Sequence, residues 1–105
     1  MITVANEENF YELIKQGLTI VDFYSTTCVP CKMFSRILED IALEIPFVNI
    51  VKINISDYPS IGKEYEVEAV PTSLFCVNGE IKDREIGLLN NNEVLEKISK
   101  VYYGE

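Results

Sequence analysis

The spacing of apolar positions along the chain changes repeatedly, and each change marks an element. Ile2-Thr3-Val4 is a short strand candidate. Asn6 then stands as a helix cap, with Glu7 and Glu8 in a first turn where carboxylates complement the helix dipole. Phe10, Leu13 and Ile14 recur at the spacing of one helix face, and Gly17 stands where a C-terminal cap belongs. Leu18 to Tyr24 is a mostly apolar run, too short for a helix and rich in β-branched and aromatic residues, which predicts a strand buried on both faces. Beyond it, Phe34, Ile37, Leu38, Ile41 and Ile45 mark one face of a helix that ends at or before Pro46.

Phe47 to Ile55 predicts a second buried strand, with Val51, Ile53 and Ile55 on one face and Lys52 and Asn54 on the other. Ser56 to Pro59 is a turn and Ser60 to Tyr65 a short helix. Thr72 to Val77 and Glu80 to Ile86 then flank Asn78-Gly79, and Asn-Gly between two strands is the strongest short hairpin signal. Asn90 to Asn92 cap a final helix whose buried face carries Val94, Leu95, Ile98, Val101 and Tyr102. Alternating β and α units followed by an antiparallel hairpin predict an α/β fold, a mixed sheet of about five strands with about four helices on its two faces. No repeat or linker interrupts it, so residues 1–105 read as one domain.

Composition narrows the partners. A net charge of -8 argues against nucleic acid or an anionic membrane surface. No stretch approaches a membrane span, and the N-terminal residues carry neither a basic segment nor a signal-length apolar run, so the expected location is cytoplasmic. In a reducing compartment a close cysteine pair is more often catalytic or metal-binding than structural.

The pair is Cys28 and Cys31, between the buried strand and the long helix. Zinc needs four ligands, and the chain adds Cys76 and no histidine, which disfavours a metal. Two inert core cysteines fit poorly with Thr26-Thr27 and Pro30, which place the pair at an element boundary. A redox-active dithiol fits best. Thr26 or Thr27 is expected to cap the helix, leaving Cys28 in its first turn, where free N–H groups favour a thiolate. Cys31, a turn later, is the natural resolving thiol. Pro30 is tolerated because a first-turn N–H has no intrahelical partner, and it stiffens the loop. Asp22, inside the buried strand, is expected to be partly desolvated, which raises its pKa and suits it to proton transfer, unless it reaches water at the strand end. Lys52 lies near Asp22 if their strands are neighbours, and otherwise runs out to solvent. Cys76 is read as a small core filler.

Val21-Asp22-Phe23, Cys28-x-Pro30-Cys31-Lys32, Lys52-Ile53-Asn54-Ile55, Val70-Pro71-Thr72, Asn78-Gly79-Glu80 and Gly87 together resemble the thioredoxin family in order and spacing. The resemblance implies the thioredoxin fold and a thiol-disulfide oxidoreductase that reduces protein disulfides. Cys28 would attack and Cys31 resolve with Asp22 as proton acceptor, while Lys52 tunes Asp22. It also implies a cis Pro71, with the Val70 backbone pairing with an extended substrate segment and Gly87 keeping the neighbouring surface flat. Thr27, Val29 and Pro30 would complete the docking surface. It implies a monomer with no bound cofactor, re-reduced by a flavoprotein thioredoxin reductase. Thr27 and Tyr24 stand where the family commonly has Trp, Val29 where it has Gly, and Arg36 where it has a helix-kinking proline. A binding module of the same fold without redox turnover is the alternative, and the intact dithiol argues against it.

Overall fold

The computed structural model describes residues 1–104. Strands β1 (Ile2–Val4), β2 (Leu18–Tyr24), β3 (Asn49–Asn54), β4 (Thr72–Val77) and β5 (Glu80–Ile86) form one sheet in the order β1-β3-β2-β4-β5. β1 and β2 both run parallel to β3, whereas β4 runs antiparallel to β2 and β5 antiparallel to β4. The parallel half needs helical crossovers, and the chain supplies α1 (Phe10–Leu13) between β1 and β2 and α2 (Val29–Glu44) between β2 and β3. α3 (Pro59–Glu64) precedes β4, and α4 (Asn91–Ile98) follows β5 and continues into a π-helical turn at Ser99–Tyr103.

Strand parity divides the core. Leu18, Ile20, Val48, Ile50 and Phe75 pack against Phe34, Leu38 and Ile41 of α2 and Val94 and Ile98 of α4. Val21, Phe23, Val51, Ile53, Leu74 and Cys76 pack on the other face against Phe10, Ile14 and Ile61. Each fully buried Phe or Ile contributes roughly 1.5–3 kcal/mol relative to exposure. β2 is covered on both faces, as its mostly apolar run predicts.

The β4–β5 hairpin turns at Asn78 (φ 50°) and Gly79 (φ 85°), the left-handed pair that matches strand twist. Asn90 caps α4 in a full capping box, its side chain accepting from Glu93 N–H while the Glu93 carboxylate accepts from Asn90 N–H. Two elements are shorter than the pattern predicts. Asn6 accepts from the Glu8 and Asn9 amides in a closed turn ahead of α1, so Glu7 and Glu8 lie in that turn rather than in the helix. β3 begins at Asn49 and ends at Asn54, and Phe47 instead stacks on Tyr102, ring centroids 5.3 Å apart. Tyr102 is correspondingly half-exposed rather than part of the buried face. With Arg36 in its middle, α2 runs unbroken. Among the described residues no helix is long and apolar enough to cross a membrane.

Candidate active site

The end of β2, the start of α2 and the start of β4 meet at one end of the central strands. Cys28 is itself the N-cap of α2, with φ -134° and ψ 105°, and the helix begins at Val29. This corrects the expectation that Thr26 or Thr27 caps it. Thr26 is held ahead of the helix: its N–H donates to Ser56 Oγ at 3.3 Å, and Asn54 Nδ2 donates to Thr26 Oγ1 at 3.2 Å. The capping acceptor is therefore sulfur, with the Cys31 amide donating to Cys28 Sγ at 3.1 Å. Pro30 falls in the first turn, where its missing N–H costs nothing.

Cys28 and Cys31 form a disulfide, with Cα atoms 5.2 Å apart. Both are nearly covered, whereas Val29 and Met33 beside them are well exposed. Thr27 and Pro30 are exposed as well. Cys28 Sγ also lies 3.8 Å from the Val70 carbonyl oxygen, a contact rather than a hydrogen bond while the sulfur is in the disulfide. The Val70–Pro71 peptide is cis. Thr72 Oγ1 donates to Ala69 O at 2.6 Å across that bend, and Gly87 N–H donates to Pro71 O at 2.8 Å. Gly87 has φ 99°, and a Cβ there would meet nothing within 4 Å. Backbone conformation, rather than lack of space, is therefore what selects glycine.

Asp22 is fully buried, and burial pushes its carboxyl from the usual 3.8 to about 7, with Lys52 pulling the other way. β2 and β3 are neighbours, and Asp22 is in register with Lys52. The lysine does not ion-pair with it. Its Nζ donates to Ser35 Oγ at 2.5 Å and lies 5.1 Å from the centre of the Tyr24 ring. Cys31 belongs to the buried stripe Cys31-Phe34-Leu38-Ile41 of α2, which packs on the sheet face that Ile20 and Asp22 share. A cleft of about 300 Å³ opens beside the sulfurs, lined by Tyr24, Thr26, Lys32, Ser35, Lys52 and Asn54. Cys76 is fully buried in the opposite core, and burial pushes its thiol up to about 11, which keeps it protonated and inert. Among the described residues no group of three or more cysteine, aspartate or glutamate side chains is placed to hold a metal ion.

The structure thus gathers Asp22, Thr27, Cys28, Val29, Pro30, Cys31, Lys52, Val70, Pro71 and Gly87 around one end of the sheet. It adds Ser35, Asn54 and Ser56, which sequence reasoning did not single out. Only Asn54 carried a signal, as a polar residue sharing a strand face with Lys52.

The thioredoxin family model matches residues 1–100. The thioredoxin of Chlamydia trachomatis is 36% identical over 100 residues, covering 95% of this chain and 98% of that one. That of Rickettsia felis is 38% identical over 91 residues, covering 85% and 87%. The oxidised form of mitochondrial thioredoxin 3 from Saccharomyces cerevisiae is 35% identical and superposes with a TM-score of 0.83, covering 95% of both chains. Matches of this length, on a fold whose sulfur-capped helix carries a Cys-x-x-Cys disulfide, show that the chain belongs to the thioredoxin family of thiol-disulfide oxidoreductases.

Proposed function

We propose that residues 1–105 work as one monomeric domain that reduces protein disulfides in the cytoplasm. The Cys28 thiolate attacks one sulfur of a substrate disulfide. A Cys28–substrate disulfide forms, and the other substrate sulfur leaves as a thiolate that solvent protonates. Cys31 then gives its proton to Asp22, directly or through water, and attacks Cys28 Sγ. The Cys28–Cys31 disulfide forms as the second substrate sulfur leaves, so two electrons pass from the dithiol to the substrate. A flavoprotein thioredoxin reductase returns them, and no cofactor need reside on this chain.

The observation that carries this reading is the Cys31 N–H aimed at Cys28 Sγ from the first turn of α2. A donor and a helix N-terminus directed at one sulfur stabilise negative charge there and single out Cys28 as the attacking thiolate. The raised proton affinity of Asp22 supports its part, because an acceptor poised near neutrality can take and return a proton at working pH. Lys52 offsets part of the desolvation without neutralising Asp22 in an ion pair. The Val70 carbonyl beside Cys28 suits an extended substrate segment pairing with that backbone, with Thr27, Val29 and Pro30 on one side and Gly87 on the other.

Insulin reduction by dithiothreitol, followed by turbidity, tests the reading. Wild-type protein is expected to accelerate it and Cys28→Ser to abolish the acceleration. No acceleration by the wild type would replace the reductase reading with a binding module of the same fold.

A further inference from the structure

A polar row crosses the sheet face under α2 and α4. Asp22 of β2 is in register with Lys52 of β3 on one side and Ser73 of β4 on the other, and Ser73 is opposite Glu85 of β5. All four share strand parity with Ile20, Ile50 and Phe75, so they project on the same face. The outer members are satisfied: Lys52 donates to Ser35, and Glu85 pairs with Lys97 of α4 at 2.6 Å. The two middle members are not. Both carboxyl oxygens of Asp22 and the Ser73 hydroxyl are buried without a hydrogen-bond partner, and both residues are fully inaccessible.

A buried hydroxyl that bonds to nothing is costly, and an apolar residue among Ile20 and Phe75 would be cheaper. The unpaired acceptors in register with Ser73 are those of Asp22. Directly opposed residues of an antiparallel pair hold their Cβ atoms about 4.5–5.5 Å apart, so a turn of Ser73 χ1 to another staggered well brings the hydroxyl within reach of the carboxyl, directly or through one water.

We infer that Ser73 is a positioning residue for Asp22, its hydroxyl holding one carboxyl oxygen through both protonation states. The inference rests on the reading of Asp22 as the proton acceptor for Cys31. A hydroxyl suits this place because it donates to a carboxylate and accepts from a carboxylic acid, whereas the Lys52 ammonium only donates. The bond to the ionised form is the stronger, so Ser73 favours the state that takes the Cys31 proton. Ser73 also lies two residues beyond Pro71, which ties the proton acceptor to the strand that leads out of the docking loop. The groups facing Asp22 are Lys52 from β3, Ser73 from β4, Tyr24 further along β2 and Cys31 from α2, with Glu85 one strand beyond.

The test is the Asp22 carboxyl titration, followed by carbon NMR in the reduced protein. Ser73→Ala is expected to raise the midpoint by about one pH unit, leaving roughly five-fold fewer molecules ionised at pH 7, while Ser73→Thr keeps the hydroxyl and stays within about 0.3 of wild type. The pH profile of Cys31 resolution is expected to move with the midpoint and to converge with wild type at high pH, which a merely structural defect would not produce. An unmoved or lowered midpoint in Ser73→Ala, or an equal rise in Ser73→Thr, overturns the inference. The wild type provides a second measurement that needs no variant: the Ser73 Cβ shift is expected to titrate with the Asp22 midpoint, and a flat Ser73 response also overturns it. These titrations read the Asp22–Ser73 contact without turnover, so their failure is distinct from a failure to reduce insulin.

Discussion

Replacing Asp22 with Asn is expected to stabilise the protein at neutral and alkaline pH, although it removes a group assigned to the chemistry. The folded carboxyl titrates near 7, well above the usual 3.8, because the fully buried site disfavours its charge. As pH rises from about 4 to about 7 the unfolded chain releases this proton while the native state retains it. The native state therefore binds more protons, and stability falls across that window before levelling off. At about 1.4 kcal/mol per pH unit the loss reaches about 4 kcal/mol above pH 7. A buried Asn amide carries its own polar penalty of about 1–3 kcal/mol, but that penalty does not change with pH. The quantity to measure is thus the difference in unfolding free energy between Asp22→Asn and wild type, obtained by urea titration of the oxidised proteins at pH 4 and at pH 8. It is expected to grow by about 4 kcal/mol between the two, equivalent to a midpoint shift of roughly 1.3–4 M urea at slopes of about 1–3 kcal/mol per M. A difference constant to within about 1 kcal/mol would refute desolvation as the origin of the Asp22 shift.

In reduction kinetics the same Asp22→Asn variant is expected to slow release from the mixed disulfide more than first attack, by rapid mixing with a disulfide substrate; equal slowing of both steps removes Asp22 from its role. Phe34→Ala, which empties a fully buried site between α2 and the sheet, is expected to cost about 3–5 kcal/mol in urea unfolding. Asn90→Ala deletes the capping-box acceptor of α4 and is expected to cost about 1 kcal/mol in the same assay, with insulin reduction unchanged.

Elements governed by local chemistry were visible in the sequence. Asn78-Gly79 announces the hairpin because its turn demands φ above zero at both residues, and the mostly apolar run of Leu18–Tyr24 announces a central strand because both its faces are covered. The cysteine pair, Asp22 and Lys52 stood out as departures from their surroundings, and strand pairing brought Asp22 and Lys52 into register. What depended on contacts distant in sequence was not visible. Ser35, Asn54 and Ser56 are ordinary polar residues until the fold sets them against Lys52 and Thr26. Ser73 reads as one more strand residue until it is found opposite a carboxylate. The cap of α2 differs from the sequence expectation for another reason. A hydroxyl is the usual capping acceptor, but bonds to Ser56 and Asn54 hold Thr26 ahead of the helix, and the acceptor role passes to Cys28 sulfur. Asn6 made its expected bonds, one turn ahead of where α1 begins.

The central claim is that Cys28 attacks and Cys31 resolves. Removing the resolving thiol should stop the reaction at its midpoint. Incubating Cys31→Ser with insulin, quenching with acid and determining mass by peptide mapping is expected to show a persistent mixed disulfide on Cys28, while the wild type returns to its internal disulfide. Cys28 left free in Cys31→Ser, or an adduct on Cys76 in its place, would contradict the account.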